Sequence, residues 1–285
     1  MTKHYLLIDG SYYVFYRFYA ISRWMSVAKK EEDITKPIEN KIFVEKFEKT
    51  FVSKIKDFIK HFKLPEDTVK IVAKDCHRTN IWRMNIYSEY KANRTTDDEF
   101  EGGPFFKMAY DKLYKESGID KIVSHPKLEA DDCISILTKK LINHDENNII
   151  TILTSDTDYI QIKKHDPERI NIYNLKYKEV KDKLEKWDEN DPEKCLFYKL
   201  LKGDTSDNIP HVIKPLTKKK FYNLWDMRGK KLIEEFKKKK CFIEYSRNMN
   251  LIDLDFIPEE LQEEFLNNYS DLFLSNNSGS DIHSD

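Results

Sequence analysis

The sequence predicts an α/β fold, with a mainly parallel central sheet flanked by helices. Two observations carry that prediction. Short apolar runs alternate with longer stretches of helical apolar spacing, the order that βαβ units impose. Acidic residues stand at the carboxyl ends of those runs, where open α/β sheets place their ligands. Tyr5–Ile8 reads as a first buried strand, stopped by the Asp9-Gly10 turn. Ser11–Tyr19 is aromatic-rich and reads as helix. From Ile42 to Phe62 the apolar residues Phe43, Phe47, Phe51, Ile55, Phe58, Ile59 and Phe62 keep one stripe, which predicts a long amphipathic helix. Val69–Ala73 is a second strand, closed by Lys74-Asp75. Cys76–Gly103 is polar, basic and aromatic with little periodicity. Phe105–Ser117 reads as helix and Lys121–Val123 as a short strand. Leu128–Ile142 is a helix opening on Glu129, Asp131 and Asp132. Ile149–Leu153 is a strong strand ending in Thr154-Ser155-Asp156-Thr157-Asp158, and Arg169–Tyr173 another. From Asp191 the chain reads as helical, with turns at Gly203–Pro210 and Pro215.

The bulk composition fits this picture. The 285 residues suffice for one large α/β domain or two modest ones, and 40% hydrophobic with 13% aromatic residues can build a core. The net charge of −1 hides an asymmetry: residues 251–285 carry nine acids and no Lys or Arg, leaving the first 250 residues with a net of +8. A basic body suits a polyanionic partner, although Lys-rich composition alone also produces one. Cys76, Cys133, Cys195 and Cys241 are scattered, with no C-x-x-C pair, so a zinc site is not expected and reduced thiols are. The N-terminal apolar run is too short for a signal peptide or membrane span, which predicts a soluble, intracellular protein with no membrane association. The polar segment 275–285 reads as a disordered tail.

The chemistry lies in the acids. Asp9 ends the first strand and Asp75 the second. Glu129, Asp131 and Asp132 open the helix after the third, and Asp156 and Asp158 follow the fourth. Four elements thus deliver seven carboxylates to one edge of one sheet. Like charges that close raise each other's pKa and destabilise the fold. Hard divalent cations with oxygen ligands remove the conflict, and a site this acidic predicts two ions, roughly 3.5–4 Å apart. Mg²⁺ fits carboxylates plus several waters, with Mn²⁺ as a substitute.

These residues resemble the 5′-nuclease (flap endonuclease) family, whose core is PIN-like. Leu7-Ile8-Asp9-Gly10-Ser11 is similar to its first motif. Asp75, Arg83 and Tyr87-Ser88-Glu89-Tyr90-Lys91-Ala92-Asn93-Arg94 are similar to its Y-P-E-Y-K-x-N-R segment. Glu129-Ala130-Asp131-Asp132 matches E-A-D-D, Thr154–Asp158 matches T-S-D-x-D, and Gly203–Pro210 matches G-D-x-x-D-N-I-P. The stretch Asn250–Pro258 resembles the branch that holds the RNase H of T-even bacteriophages. The resemblance implies a nuclease core over 1–200, a helical arch at about 76–118 and a helical, helix–turn–helix-like DNA-binding region over 201–274. It implies a first metal among Asp9, Asp75, Glu129, Asp131 and Asp132, and a second among Asp156, Asp158, Asp204 and Asp207. Lys91 and Arg94 match basic arch residues that would grip the scissile phosphate, with Arg78 and Arg83 assisting. Tyr87 and Tyr90 offer rings for stacking on an unpaired base or for packing the arch.

After Pro210 the family's G-V-x-G-I-G-x-K pattern reads His211-Val212-Ile213-Lys214-Pro215-Leu216-Thr217-Lys218 here. Close backbone approach to a phosphate needs glycine, so Lys214, Lys218, Lys219 and Lys220 stand either as side-chain replacements for that grip or as a solvated helix face. His61, His125 and His165 show no ligand spacing, and Lys237–Lys240 reads as a solvated helix end. The implied activity is a 5′-3′ exonuclease or flap endonuclease, working as a monomer in replication or repair. Its partners are DNA with a 5′ flap, nick or free 5′ end, RNA–DNA hybrid, and replication proteins such as a single-strand-binding protein or sliding clamp. A PIN-type ribonuclease on single-stranded RNA is disfavoured by the Gly203–Pro210 segment. A non-catalytic nucleic-acid scaffold is disfavoured by the complete acid set.

Overall fold

The computed structural model describes residues 2–94, 100–182, 184, 187 and 191–273. Five parallel strands form one sheet in the order β3-β2-β1-β4-β5: β1 (His4–Asp9), β2 (Val69–Ala73), β3 (Lys121–Val123), β4 (Ile149–Leu153) and β5 (Ile170–Tyr173). Strand order reverses beside β1, which pairs with β2 on one edge and β4 on the other. That switch point is where a doubly wound sheet opens a crevice.

Alternation along β1 builds both faces. Tyr5 and Leu7 join Ile71, Ile150 and Ile152 under α5 (Ala130–His144) and α10 (Glu259–Asn268). Leu6 and Ile8 turn the other way, onto α1 (Gly10–Ala28) and α2 (Lys41–His61). The predicted phenylalanine stripe of α2 holds: Phe43, Phe47, Phe51, Ile55 and Phe58 are all fully buried. Asn40 caps this helix by accepting from the Phe43 N–H at 2.9 Å. α3 (Gly103–Met108), a π turn over Ala109–Leu113 and α4 (Tyr114–Glu116) pack Phe105, Leu113 and Tyr114 into the same layer.

The C-terminal part is helical as expected: α6 (Pro192–Lys202), α7 (Lys218–Asp226), α8 (Lys230–Lys238) and α9 (Phe242–Ile252). Leu201, Phe221, Leu232 and Phe236 give α6–α8 a core of their own. Among the described residues no helix is long and apolar enough to cross a membrane, and the four cysteines are free thiols.

The expected arch is described only in its flanks. Residues 95–99 and the expected tail (275–285) lie outside the described residues. The flanks of the arch are packed down: short 3-10 turns at Arg78–Asn80 and Trp82–Asn85 bury Ile81, Trp82 and Arg83, and Tyr90 is buried just beyond them. Apolar rings seek the core even inside a basic segment, which net polarity along the sequence conceals.

Candidate active site

Asp9 is the last residue of β1 and the N-cap of α1, accepting from the Tyr12 N–H at 3.0 Å. Its other oxygen accepts from Thr154 Oγ1 and the Tyr159 hydroxyl, each at 3.2 Å. Gly10 is required at this junction: a Cβ there would lie 2.7 Å from the Ala73 carbonyl oxygen and 2.4 Å from the Tyr110 hydroxyl. The close approach brings Asp75 alongside. Asp75 accepts from Ser11 Oγ at 2.5 Å and from the Ala130 N–H at 2.8 Å, which ties β2 to the start of α5. Asp156 caps the 3-10 helix Thr157–Lys164, accepting from the Asp158 N–H at 2.9 Å.

The second group of acids arrives on helices and loops. Glu129 and Asp132 form a reciprocal cap on α5. Gly203 ends α6 at φ +69°, where a Cβ would meet the Ile209 carbonyl oxygen at 2.3 Å. The loop it allows is closed by paired backbone bonds between Asp204 and Ile209, 2.9 and 2.7 Å. Residues 87–94 are zipped onto this loop. The Lys91 N–H donates to the Asp207 carbonyl at 2.9 Å, Asn93 to Thr205 O at 2.7 Å, and Asn208 Nδ2 to Glu89 O at 2.7 Å. Lys91 itself sits at φ +56°, a conformation costing about 1–3 kcal/mol for a side-chain-bearing residue. The zipped loop holds it there.

One cleft of about 450 Å³ collects Asp9, Asp75, Glu129, Asp131, Asp156, Asp158, Asp204 and Asp207, with Lys91 and Arg94. The cleft acids are not alike. Lys91 pairs with Glu129 and lies 3.7 Å from Asp207, while Arg94 pairs with Asp207 at 2.5 Å. Lys199 bridges Asp158 and Asp204, the latter at 3.0 Å. Among the described residues no such ion pair reaches Asp9, Asp75, Asp131 or Asp156. Burial, then the Asp75 carboxylate, push the Asp9 carboxyl up to about 7. Burial and the Asp132 carboxylate also hold Asp131 well above the ordinary range. Burial acts on Glu129 in the same direction, yet Lys91 and Arg83 outweigh it and its carboxyl falls below the ordinary value. Asp204 is likewise drawn down to about 2, Lys199 and Ser206 overcoming its burial.

Several expected roles change. Glu129, Asp131 and Asp132 bring oxygens within 4.8 Å of one another. Asp132, however, does not line the cleft: it is fully buried, with both oxygens taken by Arg83 (2.7 and 2.8 Å) and one also by Trp82 Nε1 (2.9 Å). It anchors rather than faces a cation. Arg83 is 2% exposed and so has no surface for nucleic acid. Tyr90 is equally buried, its hydroxyl donating toward Glu129 at 3.0 Å, which rules out base stacking. Arg78 spends its guanidinium on the carbonyls of Lys91 and Arg94. The half-buried Tyr87 ring lies under Arg247, 5.2 Å from its guanidinium. Lys214, Lys218 and Lys219 are exposed and Lys220 half-buried, all away from the cleft. His125 and His165 serve structural pairs with Glu264 and Asp255, and His61 stacks on Tyr177. Sequence reasoning missed Lys199 and Ser11. Lys199 lies one helical turn before Gly203, a signal visible only once α6 is known to end at the cleft.

A family model described as the 5′-3′ exonuclease, N-terminal resolvase-like domain, matches residues 4–193. The chain belongs to this 5′-3′ exonuclease family. The matched exonuclease region contains every strand and the acids from Asp9 to Asp158. Among relatives, DNA polymerase I of Lactococcus lactis subsp. cremoris is 31% identical over 241 residues, 81% of this chain. The chain spans 24% of that polymerase's length. Ribonuclease H of Enterobacteria phage T4 is 24% identical over 263 residues, covering 82% of this chain and 80% of that protein. The fold matches that of the bacteriophage T5 flap endonuclease solved as a pseudo-enzyme–product complex with DNA and metal ions. That match has a TM-score of 0.60 and 18% identity, over 95% of this chain and 99% of that one.

Proposed function

We propose that this exonuclease-family chain is a structure-directed 5′ nuclease that hydrolyses phosphodiesters of DNA or RNA–DNA hybrid near 5′ ends, using Mg²⁺. The observation that carries the reading is the cleft itself: eight carboxylates lining one cleft beside Lys91 and Arg94. The T5 structure's DNA and metal ions, and the T4 relative's name, Ribonuclease H, support the substrate class.

The donor set fits hard divalent cations. Asp9, Asp75, Asp131 and Asp156 offer oxygen ligands without a cationic side-chain partner, and the raised Asp9 and Asp131 carboxyls mark charge in need of compensation. These four, with Glu129, Asp158, Asp204 and Asp207, are the proposed ligands, some through water. When bound, such ions supply Lewis-acid polarisation of the phosphodiester and lower the pKa of water. The chain's own residues do the rest. Lys91 and Arg94 turn from Glu129 and Asp207 to the scissile phosphate, offsetting charge that builds on it. Ser11, Thr154 and Tyr159 donate hydrogen bonds that fix the carboxylate orientations of Asp75 and Asp9. Lys214, Lys218, Lys219 and Lys220 provide a salt-sensitive grip on duplex phosphates.

A digestion panel of 5′ flap, nicked duplex, blunt duplex and RNA–DNA hybrid tests this. Cleavage near the 5′ end is expected with Mg²⁺, none in chelator, and none for Asp156→Asn. Undiminished cleavage by Asp156→Asn refutes the assignment.

A further inference from the structure

The five residues Leu251–Asp255, where α9 ends, lie outside the cleft, yet side chains from both acid-bearing elements converge on them. Gln161 stands three residues beyond Asp158 on the same 3-10 helix and is 4% exposed. Its amide donates to the Ile252 carbonyl at 3.0 Å and accepts from the Leu254 N–H at 2.9 Å. The pairing imitates a backbone ladder and engages both polar atoms of the buried amide. Lys164, at the end of that helix, reaches Asp253 and Asp255, each at 2.8 Å.

The other acid-bearing element reaches the same segment. Arg83 Nε donates to the Leu251 carbonyl at 2.8 Å while its two terminal nitrogens hold Asp132 and Glu129 at 2.7–3.0 Å. Lys139, on α5, donates to the Leu254 carbonyl at 3.1 Å and to Asp255 at 3.2 Å. One short stretch of chain is thus bonded both to the helix that starts at Glu129 and to the turn that starts at Asp156.

We infer that Leu251–Asp255 is a cross-brace that sets the spacing between the Glu129–Asp131 and Asp156–Asp158 acids, with Gln161 and Arg83 as positioning residues. The inference rests on the proposed metal-dependent reading. A two-ion site depends on how far apart its ligand groups are held, and partners behind the ligands typically govern affinity by about 10–100-fold. The brace gives the C-terminal region a role in ion binding even where nucleic acid is absent.

The test is a calorimetric Mn²⁺ titration of the full chain without nucleic acid, with thermal melting measured in parallel. Gln161→Leu keeps the bulk and removes both bonds; it is expected to weaken Mn²⁺ binding about ten-fold at temperatures where the variant is fully folded. Arg83→Lys keeps the positive charge but loses the Nε bond to Leu251 together with the two-nitrogen hold on Asp132, and is expected to show at least the same loss. If Gln161→Leu does not fold, Lys139→Met releases the brace from its more exposed side and is expected to weaken binding several-fold. Lowered melting temperatures with Mn²⁺ affinities unchanged from wild type overturn the brace, leaving these residues merely structural. A wild-type protein that binds no Mn²⁺ is a different result: it defeats the metal-dependent reading and the brace with it.

Discussion

The acids with no lysine or arginine paired to them and the acids with one meet in one cleft but live under opposite electrostatic conditions. Asp9, Asp75, Asp131 and Asp156 are held by hydroxyls and backbone N–H groups, and the Asp9 carboxyl is pushed up to about 7 by burial and Asp75. Glu129, Asp158, Asp204 and Asp207 are matched by Lys91, Lys199 and Arg94. On the proposed reading, a bound divalent ion would compensate the first group. The second is compensated already, so an ion there must compete with the lysines. The difference teaches that a count of carboxylates does not show how much of their charge the chain itself balances; the count of those directly paired with a lysine or arginine does.

The sharpest way to break this comparison is to neutralise one acid from each group. Asp75→Asn is expected to lower the single-turnover rate of flap cleavage by about a thousand-fold, the scale of losing a preorganised electrostatic contact at the reacting centre. Asp204→Asn is expected to cost about ten-fold, because Lys199 already offsets that charge. Equal losses would show that the two groups are electrostatically equivalent.

The next effect is on stability. Arg83 is buried against the fully buried Asp132 and nearly buried Glu129, at 2.7–3.0 Å. Removing one partner of such a pair strands the others, so Arg83→Met is expected to lower unfolding free energy by about 3–5 kcal/mol, read from denaturant midpoints. A loss under 1 kcal/mol, the range of surface pairs, would mean that Glu129 and Asp132 do not need their cation.

How much of this was legible follows the same division. Strands β2 and β4 and the acids that follow them could be read from short apolar runs because the last three residues of each are buried and the run stops at a polar turn. The phenylalanine stripe of α2 was equally plain from spacing. What could not be read was which charged residues point inward. Arg83 and Tyr90 sit in a polar, basic segment that reads as surface, and only the tertiary pairing with Asp132, Glu129 and Leu251 draws them in. Lys199 looks like one lysine of many until α6 delivers it between Asp158 and Asp204. Periodicity reports burial of apolar faces; it is silent on buried ion pairs, which depend on contacts distant in sequence.

The proposed cation binding beside Asp9 has a pH signature. The folded Asp9 pKa of about 7 lies above its ordinary value of 3.8. The folded chain therefore holds this proton more tightly than the unfolded chain does. The resulting stability is fully present below about 4, falls as pH rises, and is gone above about 7. A divalent ion replaces the lost proton, so Mg²⁺ is expected to raise the melting temperature more at pH 8 than at pH 5.5. At a hundred-fold excess over its dissociation constant the gain is about 2.7 kcal/mol, or roughly 5–10 °C for a chain of this size. A Mg²⁺ shift equal at the two pH values would place the ion among the cation-paired acids instead, since Glu129 and Asp204 stay ionised across that range.

Lys199 gives the smallest and most discriminating effect. Its ammonium group bridges Asp158 and Asp204, so on the proposed reading an ion bound to those two carboxylates would displace it. Lys199→Ala removes the competitor and leaves Asp158 and Asp204 short of positive charge. The weaker of two Mn²⁺ binding steps is expected to tighten, on the order of ten-fold, from the size of an opposite charge's influence at this range. The stronger step, governed by Asp9, Asp75 and Asp131, is expected to stay within two-fold. Calorimetry resolves the two. If Lys199→Ala instead weakens the second step, the lysine is holding Asp158 and Asp204 in place for the ion rather than standing in its position, and the two groups of acids differ in support rather than in charge.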